Sequence, residues 1–241
     1  MNIAVVFAGG IGSRMNSRAL PKQFLEVHGK PILVHTLEKF ENHPEIDAIA
    51  LAILPEWREH TERMVRRYEL TKVRWIVNGG ATGQESRHKA LRTVAADITD
   101  VSDAVVLIHD GVRPLITADL ISENIATARE HGNAITCTKF NETVAVSADE
   151  TISDVIPRDH IYAAQAPQTF HLDEILGLYD DAVERGEHDS IDSCTLMQSQ
   201  GRTLYRVDGP RSNIKITTAE DFYVCRTYFD VLENQQIAGM A

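Results

Sequence analysis

The chain has 241 residues, 43% of them hydrophobic, enough to bury a sizeable core, and is read as one α/β domain over 1–241. Its formal net charge of −11 argues against a nucleic-acid or anionic-membrane surface, so any phosphate the protein handles must be held by a local cluster of cations. Cys137, Cys194 and Cys225 are odd in number and at no metal-like spacing, which points to a reducing compartment without a disulfide framework.

The opening "NIAVVFAGG" carries no basic leader or cleavage signal, and no apolar run approaches a membrane span, so a cytoplasmic protein with no membrane partner is expected. "IAVVFAGG" is a short apolar run closed by glycines, the form of a central parallel strand buried on both faces. "PILVHTLEKFENH" has Ile32, Leu33, Leu37 and Phe40 at helical spacing, with Pro31 where a missing N–H costs nothing. "AIALAILP" predicts a second strand, "EWREHTERMVRRY" a charged amphipathic helix, and "VRWIVNGG" a third strand. "SRHKALRTVAADI" continues as helix, "DAVVLIHDG" as a strand stopping at His109, Asp110 and Gly111, and "ADLISENIATAREHG" as a helix with charges that suit its dipole. This alternation implies a mostly parallel sheet whose ligands sit at the carboxyl ends of the strands, so the loops after "VVFAGG", "WIVNGG" and "VVLIHDG" should converge.

From Ala134 the rhythm changes. "AITCTKF" and "ETVAVSADETISDVI" are β-branched runs, the second split by a turn at 147–150, and predict an antiparallel hairpin added to the sheet at about 138–160. A dimerisation arm and a hairpin that merely faces solvent both fit it. Helices return in "LDEILGLYDDAVERG" and "AEDFYVCRTYFDVLENQ".

Gly9, Gly10 and Gly12 permit an anion nest after the first strand, although a tight strand-to-helix turn would look the same. No Gly-Lys-Ser/Thr follows, and Met15 stands where a dinucleotide fingerprint needs its third glycine. Arg14 and Lys22 nearby would suit a triphosphate, because displacement at its α-phosphorus adds charge that fixed cations stabilise. Arg18 is read as a solvated surface residue. Asp110, closing a buried strand, would suit Mg²⁺, which takes one or two carboxylates with phosphate oxygens, or would simply cap the turn into Gly111. His109 is expected to orient that turn, and Arg113 to bind Asp110 or phosphate. "EHDSIDSC" gathers His188, Asp189, Asp192 and Cys194 at spacings that fit no zinc pattern, and is read as a helix cap or loop.

"AGGIGSRM…LPKQFLEVHGKPILVHTLEKF", "GG…ESRHKAL", "HDGVRP", "AQAPQTF" and "NIKITTAEDF" resemble, in order, the motifs of the cytidylyltransferases that make CDP-alcohols in isoprenoid and wall-polyol synthesis. The resemblance runs from Ile3 to about Phe222. It implies a Rossmann-like nucleotidyltransferase fold with helices on both faces and a projecting β-arm, usually a homodimer, and transfer of CMP from CTP to a polyol phosphate with Mg²⁺. By resemblance, Arg14, Lys22, Arg158 and Lys215 are catalytic. Phe7, Ala8, Gly9, Gly10, Gly79, Gly80, Ala81, Ser86, Asp110 and Gly111 contact CTP, and Arg113, Arg158, Asp192 and Lys215 meet the acceptor, with Asp110 on the metal. Arg158 would come from the neighbouring subunit's arm if the family's dimer forms.

Seven residues separate Arg14 from Lys22, one more than in the methylerythritol branch, and "HDGVRP" departs from that branch's "HDAARP". "IDSC" and "SNIKITT" resemble the ribitol branch's "TDAC" and "SNLKITT", so D-ribitol 5-phosphate, a precursor of wall and capsule polymers, is the expected acceptor, with 2-C-methyl-D-erythritol 4-phosphate as the alternative. A dinucleotide-dependent dehydrogenase lacks support at the third glycine, and a catalytically silent nucleotide binder would not need these cations together.

Overall fold

The first strand, β1 (Asn2–Ala8), shows how the sequence builds its layers, because its residues alternate between two separate apolar cores. Ala4, Val6 and Ala8 face one core and Ile3 and Val5 the other, as the two-residue strand period requires. The computed structural model describes residues 1–9, 20–188, 190–237 and 239. Within them β1 is followed by two short pairing segments, β2 (Glu26–Val27) and β3 (Lys30–Pro31), and then by β4 (Ala48–Ile53), β5 (Val73–Asn78), β6 (Val105–Asp110) and β7 (Asn133–Lys139). Next come β8 (Val144–Ser147), β9 (Ile152–Ile156), β10 (Tyr162–His171) and β11 (Arg206–Asp208).

Seven of these described strands form one sheet in the order β11-β7-β10-β6-β1-β4-β5. β1 pairs parallel with β4 and β6, β4 with β5, and β11 with β7, whereas β10 runs antiparallel between β6 and β7. The mostly parallel α/β sheet expected from the sequence is therefore present, with one inverted strand that the periodicity did not predict.

Helices cover both faces. α1 (Ile32–Glu41), α2 (Arg58–Arg67) and α4 (Ala118–His131) contribute Leu37, Phe40, Met64 and Ile121 to the core that holds Val6 and Leu51. α3 (Gly83–Asp97), α5 (Leu172–Glu184) and α6 (Ser193–Ser199) contribute Leu91, Ile175, Tyr179 and Met197 to the core that holds Val5 and Ala50. α7 (Ala219–Ile237) closes a third, smaller core through Cys225, which packs with Val27, Ile32 and Ile216.

The hairpin differs from its expected place. β8 and β9 pair only with each other, so they form a separate two-stranded ribbon and are not added to the main sheet. Val146, Ile152 and Val155 on the ribbon are exposed, Ile152 at 67%. The hydrogen bonds that β7 offers on its inner side go instead to β10, which follows the ribbon.

Candidate functional site at the carboxyl ends of the central strands

The three loops do converge. Gly9 follows β1, and a Cβ placed on it would lie 3.7 Å from the Ser86 hydroxyl. Gly79, after β5, donates its N–H to the Ile53 carbonyl at the end of β4 (2.7 Å), and Gly80 N–H donates to Ser86 Oγ (2.9 Å). Ser86 in turn donates to the Thr82 carbonyl (2.9 Å). Thr82 caps α3 by accepting from Glu85 N–H (3.1 Å), and Glu85 reaches back to Ala81 N–H (2.7 Å). The Gly80 and Ala81 amides are thus held by Ser86 and Glu85, which fixes the loop.

Gly111 follows β6 and donates its N–H to the Phe7 carbonyl (3.0 Å). A Cβ there would stand 2.9 Å from both Ala8 Cβ and Leu33 Cδ1, so only glycine allows the first and third loops this approach. The Ala8 carbonyl accepts from Gln23 Nε2 (2.7 Å), and Gln23 is fully buried. This bond ties the short turn Lys22–Phe24 to the end of β1, and so brings half-buried Lys22 to the first loop. Phe24 anchors the turn from behind, 5.0 Å from the Trp57 ring and 4.7 Å from His60. Gly10, Gly12, Arg14 and Arg18 lie outside the described residues.

Asp110, 5% exposed, ends β6 with both oxygens engaged. Oδ2 accepts from Arg113 Nε (2.7 Å) and Oδ1 from Lys215 Nζ (2.6 Å). Burial alone would raise its pKa, but these two cations outweigh it and hold the carboxyl well below the usual range. Arg113 also donates through Nη1 to the Asn213 carbonyl (2.8 Å), which locks the segment that presents Lys215. His109 Nε2 donates to the Arg113 carbonyl (3.2 Å), so it orients the turn as expected. Burial lowers its pKa to about 4 against the pull of Asp110, which keeps the ring neutral.

A cavity of about 200 Å³ opens in front of this pair. Phe7, Asp110, Arg113, Asp192 and Lys215 line it, as do Arg87 and Gln168, to which the sequence reading gave no role. Asp192 caps α6 through Thr195 N–H (2.9 Å) and accepts from Gln168 Nε2 (3.0 Å) and Cys194 Sγ (3.2 Å). Burial opposes ionisation of Asp192, and these donors still lower its pKa. The cap expected in "EHDSIDSC" is therefore present. Thr82 Oγ1 donates to the His188 carbonyl (3.1 Å), while Asp189 lies outside the described residues.

Arg158 stands apart from this cavity. It is exposed in the short turn Arg158–His160 at the foot of the ribbon, where Nη1 donates to the Asn141 carbonyl (2.8 Å). Arg87 and Gln168 were legible only as letters of the motifs that contain them, since their burial in the cavity wall depends on α5 and α6.

The donor set fits a magnesium ion that arrives with a triphosphate. Among the described residues each Asp110 oxygen accepts one hydrogen bond, which leaves it further acceptor capacity beside the cavity it lines, and Mg²⁺ ordinarily takes one or two carboxylates plus phosphate oxygens. No group of three or more His, Cys, Asp or Glu is placed to cage a metal among the described residues. Two cations against one carboxylate favour an anion over a bare cation. No helix among the described residues is long and apolar enough to cross a membrane.

The profile of the 2-C-methyl-D-erythritol 4-phosphate cytidylyltransferase family, IspD, matches residues 2–230. The chain is 49% identical over 241 residues to a ribitol-5-phosphate cytidylyltransferase of Streptococcus agalactiae serotype Ia, covering the whole of both chains. It is 40% identical over 240 residues to one of Vibrio parahaemolyticus serotype O3:K6, covering 99% of this chain and all of that one. Among solved structures, 4-diphosphocytidyl-2C-methyl-D-erythritol synthase from Anaerococcus prevotii superposes with a TM-score of 0.81 at 30% identity, over 95% of this chain and 96% of that one. With a mostly parallel sheet whose strands β1 and β6 end at a cation-lined cavity, and with these likenesses over its length, the chain belongs to the IspD-type cytidylyltransferase family and is a nucleotidyltransferase enzyme.

Proposed function

We propose that this enzyme transfers CMP from CTP to D-ribitol 5-phosphate, giving CDP-ribitol and pyrophosphate. The observation that carries the choice of acceptor is the 49% identity over the full length to relatives named for ribitol 5-phosphate, against 30% to a methylerythritol synthase. The acceptor phosphate is already an anionic nucleophile, so the reaction needs positioning and charge neutralisation and no strong general base. An acceptor oxygen attacks the α-phosphorus, and the α–β bridging oxygen leaves with pyrophosphate.

In this reading Phe7, Ala8, Gly9 and Gly10 with the Gly79–Ser86 loop receive the nucleotide. Lys22, beside the first loop, and Arg14 meet the triphosphate, and Lys215 positions the acceptor phosphate. Asp110 would hold Mg²⁺ together with phosphate oxygens, and the bound ion would supply neutralisation of charge on the nucleotide. Arg113 keeps Asp110 ionised and oriented. Asp192 faces the acceptor's hydroxyls.

Two copies are inferred to associate through the β8–β9 ribbon, which supports itself by a single strand pairing and exposes apolar side chains on both strands. Association would bring Arg158 to the neighbouring cavity, since it does not line the Asp110 cavity of its own chain. The reaction draws on cytoplasmic CTP.

The test is pyrophosphate release from purified protein with CTP and Mg²⁺. Ribitol 5-phosphate should support turnover and methylerythritol 4-phosphate much less. The reverse preference would reassign the acceptor, and CTP binding without turnover on any polyol phosphate would indicate a silent binder.

A further inference from the structure

The cavity wall contains a cation that the Asp110 pair does not use. Arg87, on the second turn of α3, is 4% exposed. Its Nε donates to Tyr179 Oη (2.7 Å) and its Nη2 to the Ser190 carbonyl (3.1 Å), both neutral acceptors. Its guanidinium carbon lies 5.4 Å from the centre of the Phe7 ring. Arg113 and Lys215, the other cations on this cavity, both hold Asp110, whereas Arg87 makes no ion pair among the described residues. A guanidinium carries five N–H donors, and the two on Nη1 meet no acceptor among the described residues. Burying an arginine without a counter-charge is costly, and the group cannot lose its proton to escape that cost.

Its partners indicate which part of a ligand it meets. Tyr179 Oη also pairs with Ser193 Oγ (2.8 Å), and Ser190 N–H donates to Gln84 Oε1 (2.6 Å). Arg87 is therefore tied to the segment that carries Asp192, while the Lys215 and Arg113 cations gather at Asp110. We propose that Arg87 contacts the substrate and reads the hydroxyl chain of the polyol phosphate, donating from Nη1 while Asp192 on the same cavity accepts. The assignment rests on the cytidylyltransferase reading above. A hydroxyl both donates and accepts, so a fixed donor and a fixed carboxylate on one cavity select a polyhydroxylated chain over a shorter alcohol. Two hydrogen bonds and the Phe7 ring already hold the fork, so little side-chain freedom is lost when substrate binds.

The experiment compares steady-state kinetics of the wild type, Arg87→Met and Arg87→Lys with the polyol phosphate the wild type prefers. Glycerol 3-phosphate, which lacks the distal hydroxyls, serves as a competing ligand. Arg87→Met should raise KM for the preferred acceptor about ten- to a hundredfold, the loss of a charge-assisted hydrogen bond. KM for CTP and the inhibition constant of glycerol 3-phosphate should stay within about twofold. Arg87→Lys, keeping charge without the fork, should fall between, and it carries the test if the Met variant does not fold. An unchanged acceptor KM would overturn the assignment. So would an equal loss with glycerol 3-phosphate, which would mean a phosphate contact, or a parallel rise in KM for CTP, which would mean a packing role. A wild type that transfers CMP to no polyol phosphate would overturn the function itself, and is seen before any variant is compared.

Discussion

Asp110 sets the charge balance of the cavity, because Arg113 and Lys215 both depend on it. Asp110→Asn should lower stability by about 3 kcal/mol, since it leaves the Arg113 cation buried without its partner. The depressed carboxyl stabilises the fold at every pH above the ordinary carboxylate value of 3.8, and that stability is lost only as pH falls towards the lower folded value. The difference in urea midpoint between wild type and variant should therefore be constant between about pH 5 and pH 8. A difference that shrank across that range would mean the carboxyl titrates higher than its partners imply. The cysteines give a second residue-scale expectation. Burial pushes the thiols of Cys194 and Cys225 up to about 12, helped at Cys194 by the Asp192 charge, and burial also raises that of Cys137. A thiol reagent at neutral pH should react slowly with the native protein and with all three thiols after denaturation, because the thiolate is the reactive form.

At the scale of elements, the ribbon and the loop junction carry the expectations. If β8 and β9 form the interface, Val146→Asp with Val155→Asp should shift the sedimentation of the protein towards a monomer and abolish turnover together. A monomeric variant with full activity would separate the arm from catalysis. A mixture of inactive Arg158→Ala and inactive Lys215→Ala chains should regain part of the activity if each active site draws on two subunits, and none if Arg158 acts within its own chain. The loop junction is tighter. Gly111→Ala should cost about 1–3 kcal/mol by thermal or urea unfolding, because the added carbon meets Ala8 and Leu33 and must push β1 and α1 away from β6.

For the molecule as a whole, the central strands dominate stability. Leu51, fully buried on β4 between β1 and β5, should cost about 3 kcal/mol when replaced by Ala, measured by the urea midpoint. The sequence alone determined these central elements. β1, β4 and β6 are built on short apolar runs, β1, β5 and β6 lead into glycines, and α1 to α5 show helical spacing, so local pattern suffices to identify them and to predict that the loops after β1, β5 and β6 converge. The order of motifs, which tertiary packing does not alter, likewise identified the family. Only the tertiary structure decided the position of β10. Pro167 interrupts that segment, and the register shifts between Ala164 and Gln168, so no clean two-residue period is present to read. The same inverted strand fills the sheet position between β6 and β7, and the ribbon stands outside the sheet it was expected to join. It also decided the site's charge pairing and the burial of Arg87. Asp110 meets Lys215, and Arg87 meets Tyr179 and Ser190, across long stretches of sequence, and such contacts follow from how layers pack rather than from any local spacing.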